Sequence, residues 1–146
     1  STGTTRGTRM RTVIAGSRDI TDTDRVCLLL DECPWTVTTV LSGKAPGVDT
    51  IGEHWADTKG VPVDPYPPDT TRYGVPVAFF IRNQVMAENA EALMLVWDGN
   101  SKGSRDMLER AKRQCLRIYE VILQGSVVRK IQHPRAAKPK SLWGFE

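Results

Sequence analysis

Three short segments of the sequence combine glycine with hydroxyl-bearing and charged side chains, and each directly follows an apolar run. They are residues 16–19 (GSRD), 42–49 (SGKAPGVD) and 98–104 (DGNSKGS). Glycine lets a backbone turn sharply or approach a ligand closely, and Ser and Arg donate hydrogen bonds to phosphate oxygens. A glycine-containing loop that leads into a helix also directs backbone N–H groups at an anion. The pattern predicts a phosphate site, although neither GxxxxGK[ST] nor GxGxxG is present.

A fourth segment, Arg82-Asn83, lies close to the apolar run Phe79-Phe80-Ile81, where an Arg often has a specific partner. Alternatively, Arg82 extends its charge to solvent from the edge of the helix. The three turns could likewise be ordinary strand-to-helix connections without a ligand. The predicted ligand-binding residues from all four segments are Gly16, Ser17, Arg18, Ser42, Gly43, Lys44, Gly47, Asp49, Arg82, Asn83, Asp98, Gly99, Ser101, Gly103 and Ser104.

Two carboxylates are candidate catalytic residues. Asp49 most simply caps the helix that follows it, and Glu53 lies one turn later on the same face. Glu53 could contact a ribose hydroxyl or act as a general base. Alternatively, it is a solvated carboxylate on the helix surface without such a role. Ser104 is the predicted cap of the helix after the third turn.

The elements that must position these residues alternate along the chain. Apolar runs predict strands at 11–15, 36–41, 61–66, 92–97 and 116–123, and helical patterns lie between them at 22–33, 49–59, 77–89 and 103–114. This order predicts an α/β fold, a Rossmann-like open parallel sheet of about five strands with helices on both faces. In such a sheet ligands bind beyond the carboxyl ends of the strands, where the strand order reverses. The turns after strands one, two and four therefore belong to the predicted site.

Composition limits the other possibilities. The 146 residues suit one domain, and 40% apolar with 25% charged residues exclude a collagen-like or fully disordered chain. We expect a flexible arm at 1–10, a nucleotide-binding domain at 11–124 and a basic tail at 125–146. The tail contains five basic residues and one acidic residue. No apolar run reaches membrane length and no signal segment is visible, so we expect no membrane partner. Three cysteines without a CxxC spacing predict no metal and a cytoplasmic location.

Three segments together resemble the YspA-like, cpYpsA-related family of the SLOG superfamily. They are VIAGSRD, LSGKAPGVDTIGEHWA and IRNQVMAENAEALMLVWDGNSKGSRDML. The resemblance extends over about residues 11–122. It implies a Rossmann-like domain, in a bacterial or phage protein, that binds nucleotides or nucleotide-derived ligands. Relatives implied by it include DprA proteins and the Lonely Guy phosphoribohydrolases.

The sequence departs from that pattern at chemically important positions. Lys44 stands where the family usually has glycine, and Glu91 where it usually has Asp. The catalytic glutamate of the Lonely Guy motif is replaced by Met107, which cannot ionise. The resemblance therefore implies the fold and the ligand class more strongly than it implies hydrolysis.

Three functions remain open from the sequence. The first is a domain that senses, sequesters or processes a nucleotide-derived molecule without a further cofactor. The second is an N-glycosidic hydrolase of nucleoside monophosphates that uses Glu53 or Asp49. The third is a DNA-binding protein that uses the basic tail, which the mildly acidic centre of the chain disfavours. We also expect a homo-oligomer.

Overall fold

A six-stranded sheet organises the chain in the computed structural model, which describes residues 7–137. Along the sheet the strand order is β3-β2-β1-β4-β5-β6, and all neighbouring strands are parallel except β5 and β6. The elements in chain order are β1 (Arg11–Gly16), α1 (Thr23–Asp31), β2 (Thr39–Ser42), α2 (Val48–Lys59), β3 (Val63–Pro65), α3 (Thr70–Tyr73), α4 (Val77–Glu88), β4 (Ala92–Trp97), α5 (Lys102–Arg113), β5 (Arg117–Gln124) and β6 (Val127–His133). The predicted Rossmann-like α/β class is confirmed.

Alternating side chains of the central strands separate the interior into two hydrophobic cores. In β4, Leu93 and Leu95 pack on the side of α4 and α5, whereas Met94 and Val96 pack on the side of α1 and α2. All six residues of β4 are buried, as expected for a central parallel strand covered by helices on both faces. The helices are therefore fixed on opposite faces, and their N-termini lie at the carboxyl edge of the sheet.

The strand order reverses between β1 and β4. From β1 the chain continues outward to β2 and β3, and it then returns past β1 to form β4 and β5 on the other side. The turns after these two central strands diverge toward opposite faces and leave a crevice between them. This topology places the predicted turns at one edge of one sheet.

Several local predictions need correction. The N-cap of α2 is Gly47 and not Asp49, and the N-cap of α5 is Ser101 and not Ser104. The predicted loop after β3 contains the short helix α3, because the Asp69 carboxylate accepts a hydrogen bond from the Arg72 N–H and caps its first turn. Met10 also belongs to the domain and not to the arm. It is buried, its carbonyl accepts a hydrogen bond from the Thr38 N–H, and its own N–H donates to the Thr38 hydroxyl.

The largest difference lies in the segment predicted as a basic tail. Val127–His133 forms β6, which pairs antiparallel with β5 through a tight turn at Gly125. Ile131 packs against the core, and His133 Nε2 lies 3.0 Å from the Glu120 carboxylate. The part of the predicted tail beyond residue 137 lies outside the described residues.

We expect truncation after Gln124 to destabilise the fold. Loss of the partial burial of Ile131 together with the backbone hydrogen bonds between β5 and β6 costs about 2 kcal/mol of unfolding free energy. A domain of this size loses roughly 4 °C in Tm per kcal/mol, so the expected fall is roughly 8 °C or more. The measurement is thermal unfolding followed by circular dichroism, with a chain that ends at Ala137 as the reference. Equal Tm values for the two chains would show that β6 does not stabilise the domain.

Candidate functional site

A cavity of about 630 Å³ opens at the carboxyl edge of the sheet, beside the ends of β1 and β4. This size is within the range of small-molecule sites. The lining residues come from the turns after β1, β2 and β4 and from α4 and α5: Ala15, Gly16, Arg18, Ala45, Asp49, Pro76, Phe79, Phe80, Arg82, Asn83, Met86, Ser101, Lys102, Gly103, Ser104 and Met107. The structure thus brings the 42–49 and 98–104 turns together around one cavity.

The turn after β1 fixes the back of the cavity. Ser17 donates its N–H to the Val96 carbonyl, and its hydroxyl accepts a hydrogen bond from the Asp98 N–H at 3.1 Å. Gly16 lies so close to the Val96 carbonyl oxygen and the Val48 side chain that a Cβ would clash with both. Ser17 is buried, so it holds the turns of β1 and β4 together and does not line the cavity.

The N-terminus of α2 packs against this turn. Gly47 has a φ of 77°, in the left-handed region, and a Cβ there would clash with the Ser17 carbonyl oxygen. That oxygen accepts a hydrogen bond from the Val48 N–H at 3.3 Å. Gly47 is thus required for helix packing, although it is not a lining residue.

The N-terminus of α5 presents unsatisfied hydrogen-bond donors to the cavity. The Ser101 hydroxyl accepts from the Ser104 N–H, and the N–H groups of Lys102 and Gly103 have no acceptor within the helix. Ser104 is 4% exposed, and its hydroxyl has no hydrogen-bond partner within residues 7–137. A buried, unpaired hydroxyl is costly, so this cavity wall has a polar group that is available for a ligand.

Asn83 and Arg82 connect the two sides of the cavity. Arg82 donates from Nε to the Asn83 side-chain oxygen at 3.0 Å and from a terminal nitrogen to the Gly43 carbonyl. Asn83 in turn donates to Asp106 Oδ2 at 3.0 Å. The predicted special role of Arg82 has a structural basis, because its guanidinium joins α4 to the turn after β2.

Asp49 is a buried carboxylate in the cavity wall. It is 5% exposed, and it accepts a hydrogen bond from the Ala45 N–H at 3.4 Å. Burial raises the pKa of Asp49 to about 6, and the positive charge of Arg82 partly opposes this shift. Its side chain turns back toward its own loop and does not cap α2, which leaves an acceptor beside the cavity.

Glu53 does not line the cavity. Its carboxylate accepts hydrogen bonds from the Ser42 hydroxyl at 2.6 Å and from Lys44 Nζ at 2.8 Å. Burial alone raises the pKa of Glu53, but the bonds from Lys44 and Ser42 outweigh it and hold the pKa below its ordinary value. The structure therefore places this predicted catalytic residue, with Ser42 and Lys44, in a separate ion-paired cluster behind the loop.

Lys44 adopts a φ of 62°, a conformation that glycine tolerates better than lysine. Its ammonium group is directed to Glu53 and not to the cavity. The remaining predicted residues outside the lining are Gly43, Asp98 and Gly99. Asp98 accepts from the N–H groups of Asn100 and Ser101, and the first of these bonds contributes most to a pKa below the ordinary value.

The sequence-based site list omits the apolar wall and one cation. Pro76, Phe79, Phe80, Met86 and Met107 line one side, and the guanidinium of Arg18 lies 5.4 Å from the centre of the Phe79 ring. The pair Phe79-Phe80 before Arg82 is the signal for this wall, although single apolar residues on a helix most often indicate core packing. Lys102 at the start of α5 is the omitted cation.

Comparison with known families gives a match for the segment from β1 to α3. Residues 10–73 match the family model described as the YspA, cpYpsA-related SLOG family. This match supports the YspA-like SLOG assignment. The SLOG match runs from β1 to α3 and includes two of the three site turns, and it confirms the resemblance there. The segment around Arg82 and the 98–104 turn lies beyond it.

The SLOG match suggests a nucleotide-related function. A search of curated proteins gave no significant match. Within residues 7–137, no helix has both the length and the apolarity to cross a membrane. In the same part of the chain, no three His, Cys, Asp or Glu side chains are grouped closely enough to hold a metal ion.

The raised pKa of Asp49 predicts a pH-dependent stability. Between about pH 4 and 6 the folded chain keeps a proton that the unfolded chain releases, so the contribution of Asp49 to stability falls as the pH rises through this window. Asp49→Asn removes this titration. In phosphate-free buffers, we expect the unfolding free energy of the variant minus that of wild type to increase by roughly 2 to 3 kcal/mol from pH 4 to 7.

Urea unfolding at several pH values measures this difference. If the variant and wild type differed by the same free energy at pH 4 and pH 7, Asp49 would not titrate in this range in the folded protein.

Proposed function

We propose that this protein binds a nucleotide-derived small molecule in the cavity at the carboxyl edge of the sheet. In this proposal the ligand phosphate lies at the N-terminus of α5, and the apolar part of the ligand packs against Phe79 and Phe80. The observation that carries it is the buried Ser104 hydroxyl, which lacks a partner in the described chain and lines this cavity.

Three independent features support a phosphate at this position. The N–H groups of Lys102 and Gly103 point out of the helix end, and the helix dipole favours an anion there. No acidic residue lies in the first turn of α5. The cations Lys102 and Arg18 line the same cavity, so a phosphate would find both hydrogen-bond donors and positive charge.

The apolar wall of the cavity and Asp49 support a nucleoside as ligand and not inorganic phosphate alone. The guanidinium groups of Arg18 and Arg82 lie 5.4 and 5.9 Å from the centre of the Phe79 ring. An aromatic wall of this kind offers apolar contact area to a base. The Asp49 carboxylate accepts a long hydrogen bond of 3.4 Å from the Ala45 N–H, and it is placed to accept another from a ligand hydroxyl.

The residues present favour binding over hydrolysis. Met107 lines the cavity at the position where the resemblance would place a catalytic glutamate, and the Glu53 carboxylate is already paired with Lys44 and Ser42. Asp49 is the single acidic residue in the described cavity lining. It supports N-glycosidic hydrolysis as a second candidate function, because a buried carboxyl with a pKa of about 6 could exchange a proton near neutral pH.

We expect AMP to bind more tightly than adenosine, because adenosine lacks the phosphate. Ser104→Ala removes one hydrogen bond to a charged group and should weaken AMP binding about tenfold. Adenosine binding should change little. Isothermal titration calorimetry measures all four affinities, and Ser126→Ala in the exposed β5–β6 turn is the matched control.

Equal affinities for AMP and adenosine would contradict the phosphate site. Equal losses in Ser104→Ala and Ser126→Ala would remove Ser104 from it. Chromatography of the same AMP samples for free adenine separates the two candidate functions. Intact AMP supports binding, and adenine release that Asp49→Asn abolishes would establish hydrolysis.

A further inference from the structure

A second cavity lies at the amino edge of the sheet, at the opposite ends of the strands from the ligand cavity. Its volume is about 520 Å³, and it opens where β6 ends beside the start of β5. The described residues that line it are Arg117, Gln132, His133, Pro134 and Arg135. Two of these side chains are guanidinium groups, one is an amide and none is a carboxylate, so the described lining suits an anion.

Arg117 lines this cavity, and residues 7–137 leave the hydrogen-bond donors of its guanidinium unused. The guanidinium lies over the Trp35 ring, 4.9 Å from the ring centre, and this contact holds it in place without a hydrogen bond. The backbone N–H of Arg117 donates to the Glu91 carbonyl at 3.2 Å. A guanidinium that an aromatic ring positions keeps its planar set of donors for a phosphate.

Three acidic side chains near this cavity already have basic partners. They are Glu32, Glu91 and Glu120, which pair with Lys130, Arg9 and His133. Within residues 7–137, neither Arg117 nor Arg135 forms an ion pair. The last turn of α5 adds Lys112 and Arg113, and the Arg113 side chain donates to the Glu109 backbone carbonyl and not to its carboxylate. This edge therefore has a surplus of positive charge that attracts anions.

Both basic ends of the sequence connect to the domain at this edge. The starts of β1, β4 and β5 are held together there, because the Glu91 N–H donates to the Arg11 carbonyl and the Arg117 N–H donates to the Glu91 carbonyl. β6 ends beside the start of β5. The sequence places Arg6 and Arg9 before β1, and it places Arg135, Lys138 and Lys140 after β6. The segments that contain these charges thus start from one folded edge.

We propose that this amino edge is a second binding site, which holds the phosphate backbone of a nucleic acid. Arg117 and Arg135 bind a phosphate in the cavity, and Lys112 and Arg113 at the end of α5 bind its neighbours along the strand. Arginine favours phosphate because its planar donors bind two oxygens at once. The described lining contains no Phe, Tyr or Trp side chain on which a base could stack, so binding is independent of base sequence.

A nucleic acid fits this edge better than a membrane does. None of the seven exposed large hydrophobic side chains in residues 7–137 lines the cavity. Binding to a membrane surface uses apolar side chains that enter the bilayer. Because the site lies at the other edge of the sheet from the ligand cavity, this inference does not depend on the proposed function.

Fluorescence anisotropy of a labelled 20-nucleotide oligothymidylate, titrated with the full chain, tests the site. If about three phosphates are bound, the logarithm of the affinity should fall with the logarithm of the salt concentration at a slope of about −2. An increase from 50 to 200 mM NaCl should therefore weaken binding about twentyfold.

Removal of the two arginines tests their role. Arg117→Gln with Arg135→Gln should weaken binding about tenfold at 50 mM NaCl and bring the salt slope closer to zero. Arg135→Gln alone, at an exposed residue, should weaken it about threefold without disturbing the packing on Trp35. The matched control is Arg25→Gln with Arg72→Gln, which removes the same charge from α1 and α3 and should change the affinity less than about twofold. Circular dichroism confirms that every variant is folded.

Absence of oligothymidylate binding at 50 mM NaCl would overturn the proposal. So would equal losses in the two double variants, since the attraction would then depend on net charge alone. An equal loss in Lys102→Gln would place the oligonucleotide in the ligand cavity and not at this edge. Sedimentation with phosphatidylserine vesicles that Arg117→Gln with Arg135→Gln abolishes, without oligothymidylate binding, would assign the edge to a membrane surface instead.

Discussion

The close approach of the β1 turn to its neighbours is the constraint on which the site depends. Gly16 has no room for a side chain against β4 and α2, and Gly47 has none against the Ser17 carbonyl. These two contacts draw the turns after β1 and β2 together. The Ser17 hydroxyl then fixes the backbone of Asp98 and with it the turn that leads into α5. Any side chain at Gly16 would separate these elements and open the cavity.

Around this fixed centre, the polar groups divide into two sets with different roles. Ser42, Lys44 and Glu53 satisfy one another behind the β2 loop, and this cluster stabilises the loop. Arg82 and Asn83 join α4 to the loop and to Asp106. Asp49 and Ser104 are buried beside the cavity with weak or absent partners in the described chain. Unsatisfied groups of this kind are expensive in an interior and common at functional sites.

The sequence predicts the strand and helix order well because apolar runs and glycine-containing turns mark each change of direction. It also predicts which turns meet, since parallel strands align their carboxyl ends. It fails where the outcome depends on contacts between distant residues. Capping of α5 by Ser101, which leaves Ser104 free, depends on where the helix starts. The separation of Glu53 from the cavity depends on Lys44. The exposed charged residues of β6 made it resemble a solvated tail in the sequence, although Gly125-Ser126 between two β-branched runs indicates a hairpin.

Titration of ¹⁵N-labelled protein with AMP, followed by two-dimensional NMR, tests the central claim most directly. A phosphate at the N-terminus of α5 accepts hydrogen bonds from the Lys102 and Gly103 N–H groups and from the Ser104 hydroxyl, so the largest amide shifts should occur at these three residues. Smaller shifts are expected at Gly16 and Arg18, and the Lys44–Glu53 cluster should change little. Saturating amide shifts confined to that cluster or to another face of the domain, with Gly103 and Ser104 unchanged, would contradict the account.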